Sequence, residues 1–312
     1  MNIEAAKLAA KKLKDAYRNC ELCPWQCRID RTSGQQGKCR SSNTVKISSA
    51  APHFGEEPMI SGTKGSGTIF FSNCNLKCSY CQNYQISQEG LGNEISDNQL
   101  ADIMLNLQAK GCHNINLVSP THYLPNIINA LIKAAEDGLD IPIVYNTNGY
   151  EKIETLKILD GVVDIYLPDI KYSSNVPALK LSGISNYVEA DRAAIIEMQR
   201  QVSELQLDEN GIAVKGLLVR HLVLPNDKAG TKTSMDFLAD KVSKDVHVGI
   251  MAQYKPCYKA AGDNEIGRKL NFDEYRRAVD SALDAGLSNI LTQELESSDL
   301  FLPDFKRADP FK

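Results

Sequence analysis

Long apolar runs are missing from this chain. Nowhere in its 312 residues do uninterrupted hydrophobic positions approach the ~18 needed to span a bilayer. The opening stretch, MNIEAAKLAAKKLKDAYRN, carries charge throughout where a signal peptide would have an apolar core. It reads as an amphipathic helix of a cytoplasmic protein with no membrane partner. Basic charge is scarce as well: 35 Lys and Arg stand against 39 Asp and Glu, and no basic block is longer than a pair. A net charge of -4 offers no field for a phosphate backbone, so nucleic acid is not an expected partner. Repeats and low-complexity tracts are absent too. With 43% hydrophobic and 24% charged residues the chain can bury one large core or two modest ones.

Cysteine, by contrast, is plentiful and clustered. Seven of the nine lie between Cys20 and Cys81. In a reducing compartment such clustering indicates metal or redox chemistry in preference to a disulfide framework.

From about residue 65 onward, short β-rich runs alternate with helical patterns, the signature of parallel strands joined by crossover helices. The runs are GTIFFS (67–72), NINLVS (114–119), IPIVYN (141–146), VDIYLP (163–168), KGLLVRHLVLP (215–225) and VHVGIMAQ (246–253), with NILT (289–292) as a weaker seventh. One intervening helix opens on Ser96 and Gln99, a capping-box spacing; another runs from Leu124 through Ile132 to a stop at Gly138. The expected fold is α/β, a partial or full parallel β/α (TIM-like) barrel. Its expected parts are an N-terminal helix and Cys-rich metal-binding cap (1–64), a barrel core (65–295) and a C-terminal extension (296–312), surface-packed or partly disordered. Polar clusters follow the strands: NCNLKC, SPTH, NTNG, PDIK, Arg220 to Asn226, and QYKP. In such barrels the loops after the strands open on one face, so these six clusters should meet at one mouth.

Cys74, Cys78 and Cys81 form C-x3-C-x2-C on the first of those loops. A closed structural zinc site wants a fourth ligand at similar range, and the segment has none. An iron-sulfur cluster also takes four as a rule, so three thiols leave one iron open to an outside ligand. The alternatives are a zinc site completed by a distant His and a coincidental trio of buried thiols.

The stretch CNLKCSYC resembles the C-x3-C-x-aromatic-C signature of the radical SAM superfamily, with Tyr80 at the aromatic position. The resemblance implies a 4Fe-4S cluster on the three cysteines, S-adenosyl-L-methionine on the open iron, and reductive cleavage to a 5'-deoxyadenosyl radical that abstracts hydrogen from a substrate. Together with NTNGY, LPDIKY and the upstream CELCPWQC, it is similar to pyruvate formate-lyase activating enzymes, in particular the PflX-type branch, over about residues 18 to 295. That likeness implies cofactor contacts from Tyr80, Asn146, Asn148, Asp169, Lys171, Arg220 and His221. It also implies a flavodoxin or ferredoxin as electron donor and a glycyl radical enzyme or other protein as substrate. Other implied readings are modification of a small molecule or a different peptide and, outside enzymes, a zinc or iron-sulfur binding module without turnover.

One departure stands out. Activating enzymes carry a Gly-Gly-Glu type motif after the second strand, which receives the methionyl amino group; here LVSPTHYLP places Ser119, Thr121 and His122 there. Either the Ser119 and Thr121 oxygens and nearby backbone take over, or the cofactor is held differently. His122 reads as a cap, a supporting residue or a substrate group. Upstream, Cys20, Cys23, Cys27 and Cys39 make a complete set of four, with Gly34 and Gly37 letting the loop fold back, for zinc or a second iron-sulfur cluster, the alternative being free or redox-active thiols. Cys112 and Cys257 read as buried structural thiols. His53, near the acidic pair Glu56 and Glu57, reads as a structural residue in preference to a substrate contact.

Overall fold

A computed structural model describes residues 1–297, 302–307 and 309–311. The remaining positions of the C-terminal extension lie outside the described residues. Among the described residues ten strands form the sheet: β1 (Val45–His53), β2 (Ser66–Phe71), β3 (Asn93–Ile95), β4 (Ile115–Val118), β5 (Ile143–Thr147), β6 (Ile165–Pro168), β7 (Gln206–Leu207), β8 (Ala213–Leu222), β9 (His247–Met251) and β10 (Asn289–Thr292). The spatial order is β10-β9-β8-β6-β5-β4-β2-β1-β3, with β7 on β8. All seven runs expected from the sequence are there, and every neighbouring pair from β2 to β10 along that order is parallel. Among the described residues β10 pairs only with β9, so the parallel sheet is an open barrel with a seam beside β10.

Strands β1 and β3 extend the sheet beyond β2 in the antiparallel sense. Residues 45–53, expected within the cap, therefore lie in the same sheet as the barrel strands. The strand is hard to read beforehand because VKISSAAPH is small, polar and half-buried, without alternation.

The period-2 pleat sorts side chains to two sides. Ile69, Phe71, Tyr145, Tyr166, Leu217 and Val219 join the core beneath the helices, while Val144, Ile165, Leu167 and Leu218 pack inside with Ile60 as a floor. Two residues further along the same inward rows come Asn146, Asp169 and Arg220. Thus an apolar floor carries polar groups directly above it, at the C-terminal strand ends. The covering helices include Asp97–Ala109, Leu124–Glu136 and Tyr187–Val202. The first is closed by the expected capping box, Ser96 Oγ accepting from Gln99 N at 3.2 Å and Gln99 Oε1 from Ser96 N at 2.9 Å. No helix among the described residues is long and apolar enough to cross a membrane.

The cap is tied to the barrel by its own polar anchors. Arg31, 1% exposed, donates to the carbonyls of Ser41 (3.1 Å) and His122 (2.7 Å) and lies over the Tyr17 ring. Trp25 Nε1 donates to the Asn75 carbonyl at 2.8 Å, holding the cap against the cysteine loop itself. At the other terminus Phe305 is buried against Phe70 and Ile86, and Phe311 lies 4.2 Å from the His53 ring centroid. The described part of the extension is thus packed into the barrel mouth.

Candidate functional site

Cys74, Cys78 and Cys81 follow β2 on a loop fixed at both ends: Asn73 N donates to the Ile86 carbonyl (2.8 Å) and Ser79 N to the Leu181 carbonyl (2.7 Å). Each sulfur has a polar neighbour. Cys74 Sγ accepts from Leu76 N at 3.4 Å and Asn148 Nδ2 at 3.3 Å, Cys78 Sγ from Ser182 Oγ at 3.0 Å, and Cys81 Sγ lies 3.1 Å from Ser87 Oγ. Burial pushes the Cys74 thiol up to about 11 and the Cys81 thiol up to about 12. A coordinated metal reverses that order by supplying positive charge, and the donors above stabilise sulfur in its thiolate form. Among the described residues no three or more His, Cys, Asp and Glu are grouped to hold a single ion. The three sulfurs instead line one cavity of about 630 Å³ with Ser119, Asn146, Asn148, Asp169, Lys171 and Arg220. Three thiols with sulfur-directed donors and no fourth cysteine on the loop fit a 4Fe-4S cluster with an open iron.

A wider chamber of about 1020 Å³ adjoins it, sharing Cys78, Cys81, Asn146, Asp169, Lys171 and Arg220 and adding His53, Glu56, Glu57, Phe70, Tyr80 and Met251. Between the two runs a charged row. The Arg220 guanidinium donates to Asp169 Oδ1 (2.9 Å), Glu56 Oε2 (3.0 Å) and Asn146 Oδ1 (2.6 Å), and Lys171 Nζ to Asp169 Oδ2 (2.7 Å). Burial alone would raise the Asp169 carboxyl, but the Arg220 and Lys171 charges overrule it and hold it below the ordinary range. Glu56 is further held by Asn116 Nδ2 at 3.0 Å.

The strand-end loops are locked from behind. The Tyr187 hydroxyl sits 2.9 Å from the Asn148 carbonyl and 3.0 Å from that of Asp169, and accepts from Lys171 N at 3.1 Å. Gly149, at φ 82°, makes this packing possible, since a Cβ there would lie 2.5 Å from the Asp169 carbonyl oxygen.

Most expected site residues converge, and Thr121 and His221 stand apart. Thr121 turns away from both cavities: its hydroxyl donates to Glu151 Oε1 at 2.6 Å and accepts from Tyr145 at 3.3 Å. The short turn Thr121–Tyr123 aims it behind β5, where Glu151, buried and raised to about 7 by desolvation, needs donors. His221 is also sunk, its ring between the Ile170 carbonyl (2.8 Å) and Thr231 Oγ1 (2.9 Å), so it braces the loop carrying Lys171. Tyr80 contributes its ring to the chamber wall, while its hydroxyl meets Tyr172 at 2.7 Å. His122 is a brace too: Nε2 lies 2.9 Å from the Ser72 carbonyl, and burial lowers its pKa to about 3.

Among the four N-terminal thiols, Cys20 accepts from Arg31 at 3.8 Å and Cys27 from Lys38 N at 3.5 Å, while Cys23 is raised first by burial and then by Cys39 and Cys20 nearby. All nine cysteines are free. Cys112 is buried, but Cys257 is only half-buried and donates to the Tyr80 carbonyl at 3.5 Å, beside the cysteine loop. Glu56 and Glu57 are the residues whose place in the chamber the sequence did not reveal. Their only signal was the acidic pair after His53, whose place emerges once β1 is seen to run back along β2.

Fold and site together define a class: an open parallel β/α barrel with a three-cysteine loop at its mouth. A family model described as the Radical SAM superfamily matches residues 68–203. The chain is 31% identical over 281 residues to an uncharacterized protein of Methanocaldococcus jannaschii, covering 86% of this chain and 75% of that one. Among solved structures, a radical SAM methyltransferase from Sphaerobacter thermophilus aligns with TM-score 0.50 at 13% identity, over 78% of this chain and 69% of the other. Streptococcus suis SuiB gives 0.51 at 17%, over 73% and 49%. At such identities these two speak for the fold alone. The chain belongs to the radical SAM superfamily, and that family implies a 4Fe-4S cluster and S-adenosylmethionine.

Proposed function

We propose that the chain is an activase-like enzyme, of the PflX-type branch, that uses S-adenosylmethionine to remove a hydrogen atom from a protein or peptide. The observation that carries the reading is the meeting of Cys74, Cys78 and Cys81 with Asn146, Asn148, Asp169, Lys171 and Arg220 around one cavity. When bound, the cluster and cofactor together supply a 5'-deoxyadenosyl radical.

The protein's own part is to position and to shield. Cys74, Cys78 and Cys81 hold the cluster, and Asn148 fixes Cys74 Sγ while accepting Tyr150 N at 3.0 Å through its own oxygen. Lys171 and Arg220 turn positive charge toward the cavity, where a carboxylate is best received, and Asp169 keeps both side chains in place. Ser119, on the inner cavity with φ 56°, offers a hydroxyl to the amino group. Phe70, Val118, Leu222 and Met251 supply apolar wall that keeps water from a reactive centre. A flavodoxin or ferredoxin serves as reductant, and Cys20, Cys23, Cys27 and Cys39 take zinc or a second cluster of their own.

Anaerobic reconstitution followed by measurement of 5'-deoxyadenosine, with and without a candidate glycyl radical enzyme, tests the reading. Formation that rises with the partner, together with a glycyl radical on it, supports the activase. Formation that no protein or peptide stimulates refutes that assignment, and no formation at all refutes the chemistry.

A further inference from the structure

In the chamber the charges pair off with one exception. Glu56 and Asp169 are matched by Arg220 and Lys171, leaving Glu57 as an additional carboxyl. Its Oε2 is buried and has no hydrogen-bond partner among the described residues. Its Oε1 lies against β9, where a Cβ on Gly249 would come within 3.3 Å. A buried carboxylate oxygen without a donor is costly, and burial raises Glu57 to about 7, with the Arg220 charge and the residue's own backbone N–H opposing. Glu57 also lines a second, lateral groove of about 1110 Å³, reached through the seam beside β10. The groove walls include Ile250, Met251 and Leu291, its rim carries Glu294 and Glu296, and among the described residues no Lys or Arg lines it.

We propose that Glu57 is a specificity residue that receives the ammonium or guanidinium group of a Lys or Arg side chain from a peptide substrate entering along β10. Apolar walls ending in carboxylates match an alkyl stem with a cationic head. The outer edge of β10, unpaired among the described residues, offers backbone groups to an extended peptide, which favours a chain over a free amine. Glu57, Glu294 and Glu296 draw such a group in, and Glu57 gains a partner for the oxygen that the described residues leave unpaired. The inference rests on the reading that the chamber takes a peptide.

The test is fluorescence-anisotropy binding of labelled Gly/Ala decapeptides with one central Lys or norleucine to anaerobically reconstituted protein with S-adenosylmethionine present. The Lys peptide should bind roughly ten- to a hundredfold tighter, the range for a charge-assisted hydrogen bond. In Glu57→Gln the preference should fall to within about twofold, with iron content and circular dichroism as in the parent. Rim variants Glu294→Gln and Glu296→Gln, on exposed positions, should each cost less than about fivefold and weaken the salt dependence. These rim variants carry the test if Glu57→Gln fails to fold. No preference in the parent, a preference that survives in folded Glu57→Gln, or one indifferent to salt and rim charge overturns the proposal. Competition by free spermidine without any binding of the Lys peptide overturns the peptide assignment. Binding is read apart from turnover, so absence of 5'-deoxyadenosine fails the enzyme reading, whereas a parent protein that cleaves the cofactor but shows no Lys preference fails the Glu57 proposal alone.

Discussion

Replacing Arg220 by Met would strip the chamber of the group that joins three strand ends. In the folded protein its guanidinium is shared among Asp169, Glu56 and Asn146, at 2.9, 3.0 and 2.6 Å. The Met side chain fills similar volume, so the loss is electrostatic: Asp169 keeps Lys171, but Glu56 is left with amide donors only and Glu57 loses its one opposing charge. Removing one partner of a buried ion network costs about 3–5 kcal/mol, because the remaining charges stay desolvated. At about 2–4 °C per kcal/mol for large domains, melting should fall by about 6–20 °C. The sign of the pH effect follows. In the parent, Asp169 is held low, so its contribution is present above the unfolded carboxylate value and is lost only as pH falls through the folded one. In Arg220→Met the orphaned carboxyls have raised values, and protonation relieves them. The deficit should therefore be largest above pH 7 and should shrink toward pH 5. Thermal unfolding by circular dichroism across that range is the assay. A variant that melts with the parent, or whose deficit does not move with pH, would refute the picture of a charge-linked strand-end network.

Three more outcomes follow from the same geometry. Glu151, raised to about 7 by burial, contributes stability that is full below its unfolded value near 4.5 and is lost as pH rises through 7. Glu151→Gln should flatten a pH slope totalling about 3 kcal/mol in urea unfolding, and an unchanged slope would count against it. Ser119→Ala should weaken S-adenosylmethionine binding by roughly ten- to a hundredfold, while Thr121→Val, whose hydroxyl serves Glu151, should leave the cofactor's dissociation constant near the parent's; equal effects on binding would mean that both oxygens reach the cofactor. A protein with Cys74, Cys78 and Cys81 all changed to Ala should retain metal at Cys20, Cys23, Cys27 and Cys39, and elemental analysis finding neither zinc nor iron would end that assignment.

Much of the barrel is legible in the chain because its strands are covered on both faces. Such strands read as continuous β-rich runs, and GTIFFS and IPIVYN show that character plainly. Strand β1 escaped since nothing in VKISSAAPH alternates, and with it went Glu56 and Glu57, which reach the chamber from outside the β/α repeat. Asn146, Asp169 and Arg220 were legible through the resemblance and because polar clusters follow the strands, and in the structure each ends an inward row. Thr121 and His221 were misplaced by the same rule: both are polar and stand at strand ends, but a short turn directs one hydroxyl to Glu151, and the pleat sends the His221 ring behind the sheet to Ile170 and Thr231. Tyr187, which ties two loops together, lies on a helix well separated in sequence from what it holds, so its role depends on packing alone.

The central claim is that three thiols leave one iron open for S-adenosylmethionine. Electron paramagnetic resonance of the reduced, anaerobically reconstituted protein, recorded before and after addition of the cofactor, tests it most directly. Cys257, whose thiol donates to the Tyr80 carbonyl beside the loop, should be removed first, as Cys257→Ser, so that no fourth sulfur competes. The account predicts a 4Fe-4S signal of parent intensity in that variant, with a spectrum that changes when the cofactor binds. A spectrum that S-adenosylmethionine leaves unchanged would contradict it.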